Sequence, residues 1–349
     1  MADTGLTTGN TDPILVVENL SVDIEVPAGT LHAVTKSSFH VNRGETLCIV
    51  GESGCGKSIT SLAIMGLLPR SAKATASELR FEGKHLLSMS QKQLAELRGN
   101  RMGMIFQDPM TSLNPVYTIG NQMEEIFLRH GKGSRKEAHA RAAFLLEKVG
   151  ISAPESRLKQ YPHQLSGGLR QRVMIAMMLM CDPVMIIADE PTTALDVTIQ
   201  AQILHLLKEL QAEFNMGLIV ITHDLGVVAR IADRVAVMYA GWIVETGPAR
   251  EVFAAPLHPY TQGLLDCIPI PGKTKRGEAL GSIPGIVPAL VGENEGCMFR
   301  NRCPYVMDAC ATGEIEIREM GHLSGYRCLL EPEQSKANIE KAAVAQVAQ

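Results

Sequence analysis

Apolar and polar residues alternate at Val22, Ile24 and Val26, the period-2 signature of a strand with one buried face. Thr46-Leu47-Cys48-Ile49-Val50 is instead an unbroken run, as in a strand covered on both sides. The first pattern predicts an antiparallel edge sheet and the second a parallel core. Two further buried-strand runs, Val184 to Ala188 and Leu218 to Thr222, each follow a helix-length segment, the order that alternating β/α units require. Between them, Ile203, Leu206, Leu207 and Leu210 share one face of a helix predicted over Ile199 to Glu213. Apolar helices are also predicted over Leu62 to Leu68 and Val173 to Met180, and Met174, Met177, Met178 and Met180 read as core packing. Val235 to Met238 and Trp242 to Val244 flank Ala240-Gly241 as a hairpin.

Past Phe253 this periodicity fails. Pro256, Pro259, Pro269, Pro271, Pro284, Pro288 and Pro304 are interspersed with glycines, which excludes long helices and central strands. The expected organisation is therefore a loose tail over 1–13, a main domain over 14–255, a small loop-rich extension over 256–330, and a polar, then Ala-rich tail over 331–349. The length agrees, since 349 residues exceed the roughly 250–300 at which single cores stop growing.

With 46% hydrophobic residues the chain is not a disordered one. A net charge of −4, without any run of Lys and Arg, speaks against nucleic acid as a partner. Met1 to Pro13 lacks the basic start and apolar stretch of a signal peptide, so a cytosolic location is expected. The longest apolar run, Val173 to Cys181, falls short of the ~20 residues that span a bilayer. The eight cysteines are then expected to pack, ligate metal or undergo redox chemistry, and not to form disulfides.

Gly51-Glu52-Ser53-Gly54-Cys55-Gly56-Lys57-Ser58 fits G-x-x-x-x-G-K-[ST] and lies between a predicted buried strand and a predicted helix. Its backbone N–H groups form an anion nest, Lys57 places a cation on the β- and γ-phosphates, and the Ser58 hydroxyl ligates Mg²⁺. The expected nucleotide contacts are Gly51, Ser53, Gly54, Cys55, Gly56, Lys57, Ser58 and Ile59. The run Val184 to Ala188 ends in Asp189-Glu190, two carboxylates at a sheet's carboxyl edge. Asp189 is expected to hold hydrated Mg²⁺ and Glu190, pointing the other way along the pleat, to polarise the attacking water. Further on, Leu165-Ser166-Gly167-Gly168-Leu169-Arg170-Gln171 precedes an apolar helix; Ser166 is a natural N-cap, and the exposed first-turn amides make a second anion site.

Together these motifs resemble the nucleotide-binding subunit of an ABC transporter over roughly residues 14 to 255. The resemblance implies an α/β fold of the P-loop NTPase type, with a parallel core sheet, an antiparallel edge sheet and a helical subdomain over about 108–165. It implies ATP as ligand, sandwiched between the phosphate loop of one subunit and Ser166, Gly167 and Gly168 of another. Gln107, in Met104-Ile105-Phe106-Gln107-Asp108-Pro109, looks like the glutamine that senses Mg²⁺. Thr193-Ala194-Leu195-Asp196 looks like the loop that crosses to the partner, and His223 like the switch histidine at the γ-phosphate. Glu190, His223 and Gln107 are thus the expected catalytic set. The family's aromatic platform for adenine has no counterpart in Ala28 to Val34, where His32 or Leu31 is the substitute on offer.

Leu257-His258-Pro259-Tyr260-Thr261 narrows the resemblance to the ATPases of dipeptide, oligopeptide and nickel importers. It implies a second, related but non-identical ATPase chain, two permease subunits, an external solute-binding protein, and a peripheral place on the cytoplasmic face of a bacterial inner membrane. Nickel chelates and glutathione-like solutes stand as alternative cargoes, and an ABC-fold ATPase of DNA or ribosomes as an alternative class. Cys297, Cys303, Cys310 and Cys328, spaced C-x5-C-x6-C-x17-C, look in this importer family like the ligands of a [4Fe–4S] cluster. Arg300, Arg302 and Arg327 are expected to offset its charge. Zn²⁺ and four unconnected thiols are the alternatives, though no short cysteine knuckle is present.

Overall fold

Two sheets share the chain in the computed structural model, which describes residues 13–107, 112–192, 196–268, 281–292, 294–321 and 323–338. Strands β1 (Leu15–Val26) and β2 (Gly29–Val41) pair antiparallel. After β3 (Thr46–Val50), the short strands β4 (Ala72–Thr75), β5 (Glu78–Phe81) and β6 (Lys84–His85) complete this first sheet, β4 and β5 both against β1. β1 begins well before the alternating run. Its pairing with β2 slips between Val17 and Leu20, where Asn19 takes φ 51°, and this bulge breaks the period by which its first half would have been read.

The second sheet is built on β3. With β7 (Met102–Ile105), β8 (Met185–Asp189), β9 (Gly217–Thr222) and β10 (Arg234–Tyr239) it forms a parallel centre in the order β10-β3-β9-β8-β7. Its pleat divides the apolar residues between two cores. Cys48, Val50, Ile186, Ala188, Leu218 and Val220 enter a core shared with the helices. Leu47, Ile49, Met185, Ile187, Ile219 and Ile221 enter the core between the two sheets. An unbroken apolar run is thus needed, and each such aliphatic side chain contributes roughly 1.5–3 kcal/mol when fully buried. The predicted hairpin is present: β10 turns into β11 (Trp242–Pro248), pairing Tyr239 with Trp242.

Helix starts follow their caps. The helix after β3 runs Lys57–Met65, earlier than the apolar run Leu62 to Leu68 suggests. Gly66 at φ 62° stops it, and the N–H of Leu67 closes back on the Leu62 carbonyl at 2.8 Å. A helical layer, Ile119–Arg129, Arg135–Lys148, Pro154–Leu158 and Gly167–Met178, packs on the core that Cys48, Val50, Ile186 and Ala188 enter. The helix Val197–Phe214 buries Ile203, Leu206, Leu207 and Leu210, the face predicted from their spacing. Among the described residues, no helix is long and apolar enough to cross a membrane.

The extension is continuous with the main sheet. Its strands β12 (Arg318–Gly321) and β13 (Ser324–Tyr326) add to β11 as an antiparallel edge, and Tyr260, Leu290 and Phe299 join the helix-side core.

Candidate nucleotide site

The parallel strands deliver their carboxyl ends to one edge, where four loops meet. The loop after β3 is forced into shape by its glycines. Gly51 has φ 154° and Gly56 φ 102°, and a Cβ would come within 2.1 Å of the Met238 carbonyl oxygen at the first and 2.3 Å of the Ala33 carbonyl oxygen at the second. Lys57, 4% exposed, folds its ammonium back into the loop, donating to the carbonyls of Gly51 at 2.8 Å and Glu52 at 2.9 Å. Ser53, Gly54 and Ser58 are exposed, while Cys55 is buried and its thiol is pushed up by that burial. Ile59 packs partly buried against the core between the sheets.

Ser58 Oγ donates to Asp189 Oδ1 at 2.9 Å, which joins the loop to the end of β8. Burial raises the Asp189 carboxyl above the ordinary carboxylate range, and the Ser58 hydrogen bond opposes that rise. A hydroxyl and a carboxylate side by side are oxygen donors of the kind that suits a hard divalent cation. Glu190, the next residue, has φ 45° and donates its N–H to the Ile221 carbonyl at 2.9 Å. Its carboxylate turns away from Asp189: Oε2 accepts from Gln107 Nε2 at 2.8 Å, and Oε1 lies 3.4 Å from His223 Nδ1. Residues following β7, β8 and β9 therefore converge on one carboxylate, with His223 still 57% exposed along its side chain. Glu190, Gln107 and His223 thus stand at the same sheet edge as the phosphate loop.

The Ser166–Gly168 segment opens a different helix. Ser166 caps the helix Gly167–Met178, its Oγ accepting from Leu169 N at 3.4 Å, and a Cβ on Gly168 would lie 3.2 Å from Ile199. Among the described residues, no hydrogen bond links Ser166, Gly167 or Gly168 to the phosphate loop, Asp189, Glu190 or His223. Asp196 caps the helix Val197–Phe214 through Ile199 N at 3.0 Å; Thr193, Ala194 and Leu195, like Asp108 and Pro109, lie outside the described residues.

Beside the loop, His32 Nδ1 pairs with Asp23 Oδ1 at 2.7 Å and Leu31 bridges to Val291. The His32 N–H donates to the Leu290 carbonyl at 2.9 Å, and Gly292 N donates to Thr30 at 3.1 Å. The extension thus lies along the hairpin that borders the site, a neighbour that no local pattern in 284–292 announces.

All four cysteines of the extension, Cys297, Cys303, Cys310 and Cys328, line one small cavity with Phe299, Ile315 and Leu330. Burial raises the thiols of Cys297 to about 11 and Cys303 to about 12. The Tyr305 N–H points at Cys303 Sγ at 3.4 Å and the Leu330 N–H at Cys328 Sγ at 3.5 Å. Among the described residues, however, no three His, Cys, Asp or Glu are gathered tightly enough to hold a metal ion. The three arginines also part ways. Only Arg300 lines the cavity; Arg327 lies 4.4 Å over the Trp242 ring, and Arg302 turns to the Glu52 carboxylate.

Comparison with known proteins agrees with this edge. Residues 34–193 match the ABC transporter family, and residues 244–310 match the oligopeptide/dipeptide transporter C-terminal region. The chain is 53% identical over 300 residues to the dipeptide transport ATP-binding protein DppD of Bacillus subtilis, spanning 86% of this chain and 89% of that one. It belongs to the ATP-binding subunits of ABC transporters. The DppD protein of Escherichia coli is 51% identical over 315 residues, 90% of this chain and 96% of its own. A dimeric ATP-binding cassette in a post-hydrolysis state, bound to ADP and phosphate, superposes with TM-score 0.60 at 28% identity, over 68% of this chain and 99% of that one. As an ABC ATPase the chain binds and hydrolyses ATP, and such subunits work in pairs on membrane permeases.

Proposed function

We propose that this ABC ATPase energises the import of dipeptides or oligopeptides. The observation that carries the reading is the extension: residues 244–310 match the C-terminal region of peptide transporters, and the relatives named for dipeptide transport are similar across that region as well as the cassette. In this reading the chain sits peripherally on the cytoplasmic face of the membrane. It pairs with a related ATPase chain on two permease subunits, which an external solute-binding protein supplies.

The loop Gly51 to Ser58 cradles the phosphates and Lys57 leaves the Gly51 and Glu52 carbonyls for the β- and γ-oxygens. Ser58, Asp189 and Gln107 would hold Mg²⁺, which when bound would supply charge neutralisation for the developing phosphate charge. Glu190 takes a proton from the water whose oxygen attacks the γ-phosphorus as the bond to ADP breaks, while His223 orients that water. Ser166, Gly167 and Gly168 close over the γ-phosphate held by the partner, with Asp196 crossing beside them; a role in trans is supported by the lack, among the described residues, of any hydrogen bond from Ser166, Gly167 or Gly168 to this chain's own phosphate loop. Replacing Glu190 with Gln should preserve ATP binding, lower turnover at least about 100-fold and stop ATP-dependent uptake of a labelled dipeptide in cells carrying only the variant. Sustained uptake would rule the reading out.

The cysteine cavity is read as the site of a [4Fe–4S] cluster. Four thiols on one cavity, backbone N–H groups directed at two of the sulfurs, and the absence of acids from the lining among the described residues suit thiolate ligation of iron. A lone zinc ion is served less well, because it draws its thiolates to ~2.3 Å from one point. Anaerobically purified chain should contain about four irons and four sulfides with broad visible absorbance. Stoichiometric zinc without sulfide would replace the cluster by the alternative ion.

A further inference from the structure

Arg302 is the residue by which the extension reaches the phosphate loop. Its Nη1 and Nη2 donate to the two carboxylate oxygens of Glu52 at 2.6 and 2.9 Å, and its side chain is 4% exposed. The rest of its fork is also held: Nε donates to the Pro284 carbonyl at 2.8 Å and Nη2 to the Ile283 carbonyl at 3.1 Å. Its guanidinium stands 5.7 Å from the centre of the Tyr239 ring. Glu52 is gripped a second time, since its backbone N–H donates to Tyr260 Oη at 2.9 Å. Tyr260 is fully buried, packed 4.6 Å from Tyr239 and 5.4 Å from Phe299 between ring centres. The third group of Glu52, its carbonyl, accepts the Lys57 ammonium at 2.9 Å.

Glu52 thus joins the extension to the phosphate loop through three different groups, its carboxylate, its N–H and its carbonyl. We infer that Arg302 and Tyr260 of the extension are positioning residues for ATP binding, acting through Glu52 to fix the backbone of the phosphate loop, whose N–H groups receive the phosphates once Lys57 has left the Glu52 carbonyl. A Gly-rich loop has little side-chain packing of its own, and Gly54 has no neighbour within 4 Å of where a Cβ would stand. Its shape must therefore be imposed from the flanks. A bidentate arginine–carboxylate pair gives direction as well as strength, which a lysine cannot reproduce. The expected consequence is on affinity, because the pair sits behind the loop and touches neither Glu190 nor His223. The inference rests on the nucleotide-site reading and adds to it a dependence on the extension that neither matched family region describes.

The test uses the full-length chain with Mg²⁺ and the fluorescent probe methylanthraniloyl-ATP, together with ATPase kinetics. Arg302→Gln should raise the probe Kd and the KM for ATP about tenfold, the scale of coupling between contacting groups, with kcat within about twofold. Arg302→Lys should recover only part of that loss. In the Glu52→Gln background, Arg302→Gln should add little further. Unchanged Kd and KM, or a fall in kcat alone, overturns the inference, as does full additivity of the two changes. If Arg302→Gln fails to fold, Tyr260→Phe, which removes one oxygen, carries the test: a Kd raised severalfold supports the inference and an unchanged one overturns it. Lys57→Ala separates the two readings. Retained binding in that variant removes the nucleotide site itself, whereas lost binding beside a silent Arg302→Gln removes only the role of the extension.

Discussion

A Cβ at residue 56 would sit 2.3 Å from the Ala33 carbonyl oxygen, on a backbone with φ 102°. Gly56→Ala therefore meets both a clash with main chain and a strained conformation. At Gly54, φ 80° with open space around it, only the conformational cost applies. The expected loss in urea unfolding is about 1–2 kcal/mol for Gly54→Ala and more for Gly56→Ala, which should also abolish ATP binding because Lys57 follows directly. Equal losses would mean that the Ala33 contact yields freely. At this scale much was legible: Lys57, Ser58, Asp189 and Glu190 are named by a contiguous motif or by a strand end. Glu52 was not, because it occupies a variable position of the motif and its partner lies 250 residues away.

Among elements, the unbroken runs marked β3, β8 and β9 because burial on both faces leaves no polar position. The period failed at β1, where a bulge interrupts it, and in the extension, whose β13 is only three residues long and gains its order from β11. β11 is also tied to the extension by Glu245, whose carboxylate accepts from Leu257 N at 2.7 Å and His258 N at 3.0 Å. Burial raises its carboxyl from 4.5 to about 7. The native state then binds this proton more tightly than the unfolded chain. Its stabilising contribution is full below pH 4.5 and is lost as pH rises towards 7. Glu245→Gln removes that slope, so urea titrations should show the variant gaining on the parent between pH 4.5 and 7, by up to roughly 3 kcal/mol. A pH-independent difference would mean the carboxyl is not perturbed. His258, buried and held down to about 3, acts with the opposite sign: being neutral in the fold, it makes the parent gain stability as pH rises from 3 to 6.5, and Glu245→Gln keeps this pH dependence.

In the whole molecule, the phosphate loop follows β3 while Ser166–Gly168 opens a separate helix, and no hydrogen bond joins the two among the described residues. The proposed pairing in trans predicts that specific ATPase activity rises with protein concentration, or on adding a partner ATPase subunit, in steady-state assays. A monomer working at full rate would contradict this. What the amino-acid order determined alone is local: a loop, the helix it starts and the side chains that follow are contiguous, so their chemistry is written in one stretch. Likewise, strands buried on both faces declare themselves by composition. Only the tertiary structure decided that Gln107 and His223 meet on Glu190, that four cysteines share a cavity, and that Arg302 abandons them for Glu52. Such meetings depend on strand order, register and the turn of individual side chains, and contacts between distant segments follow from packing the whole, which no local period encodes.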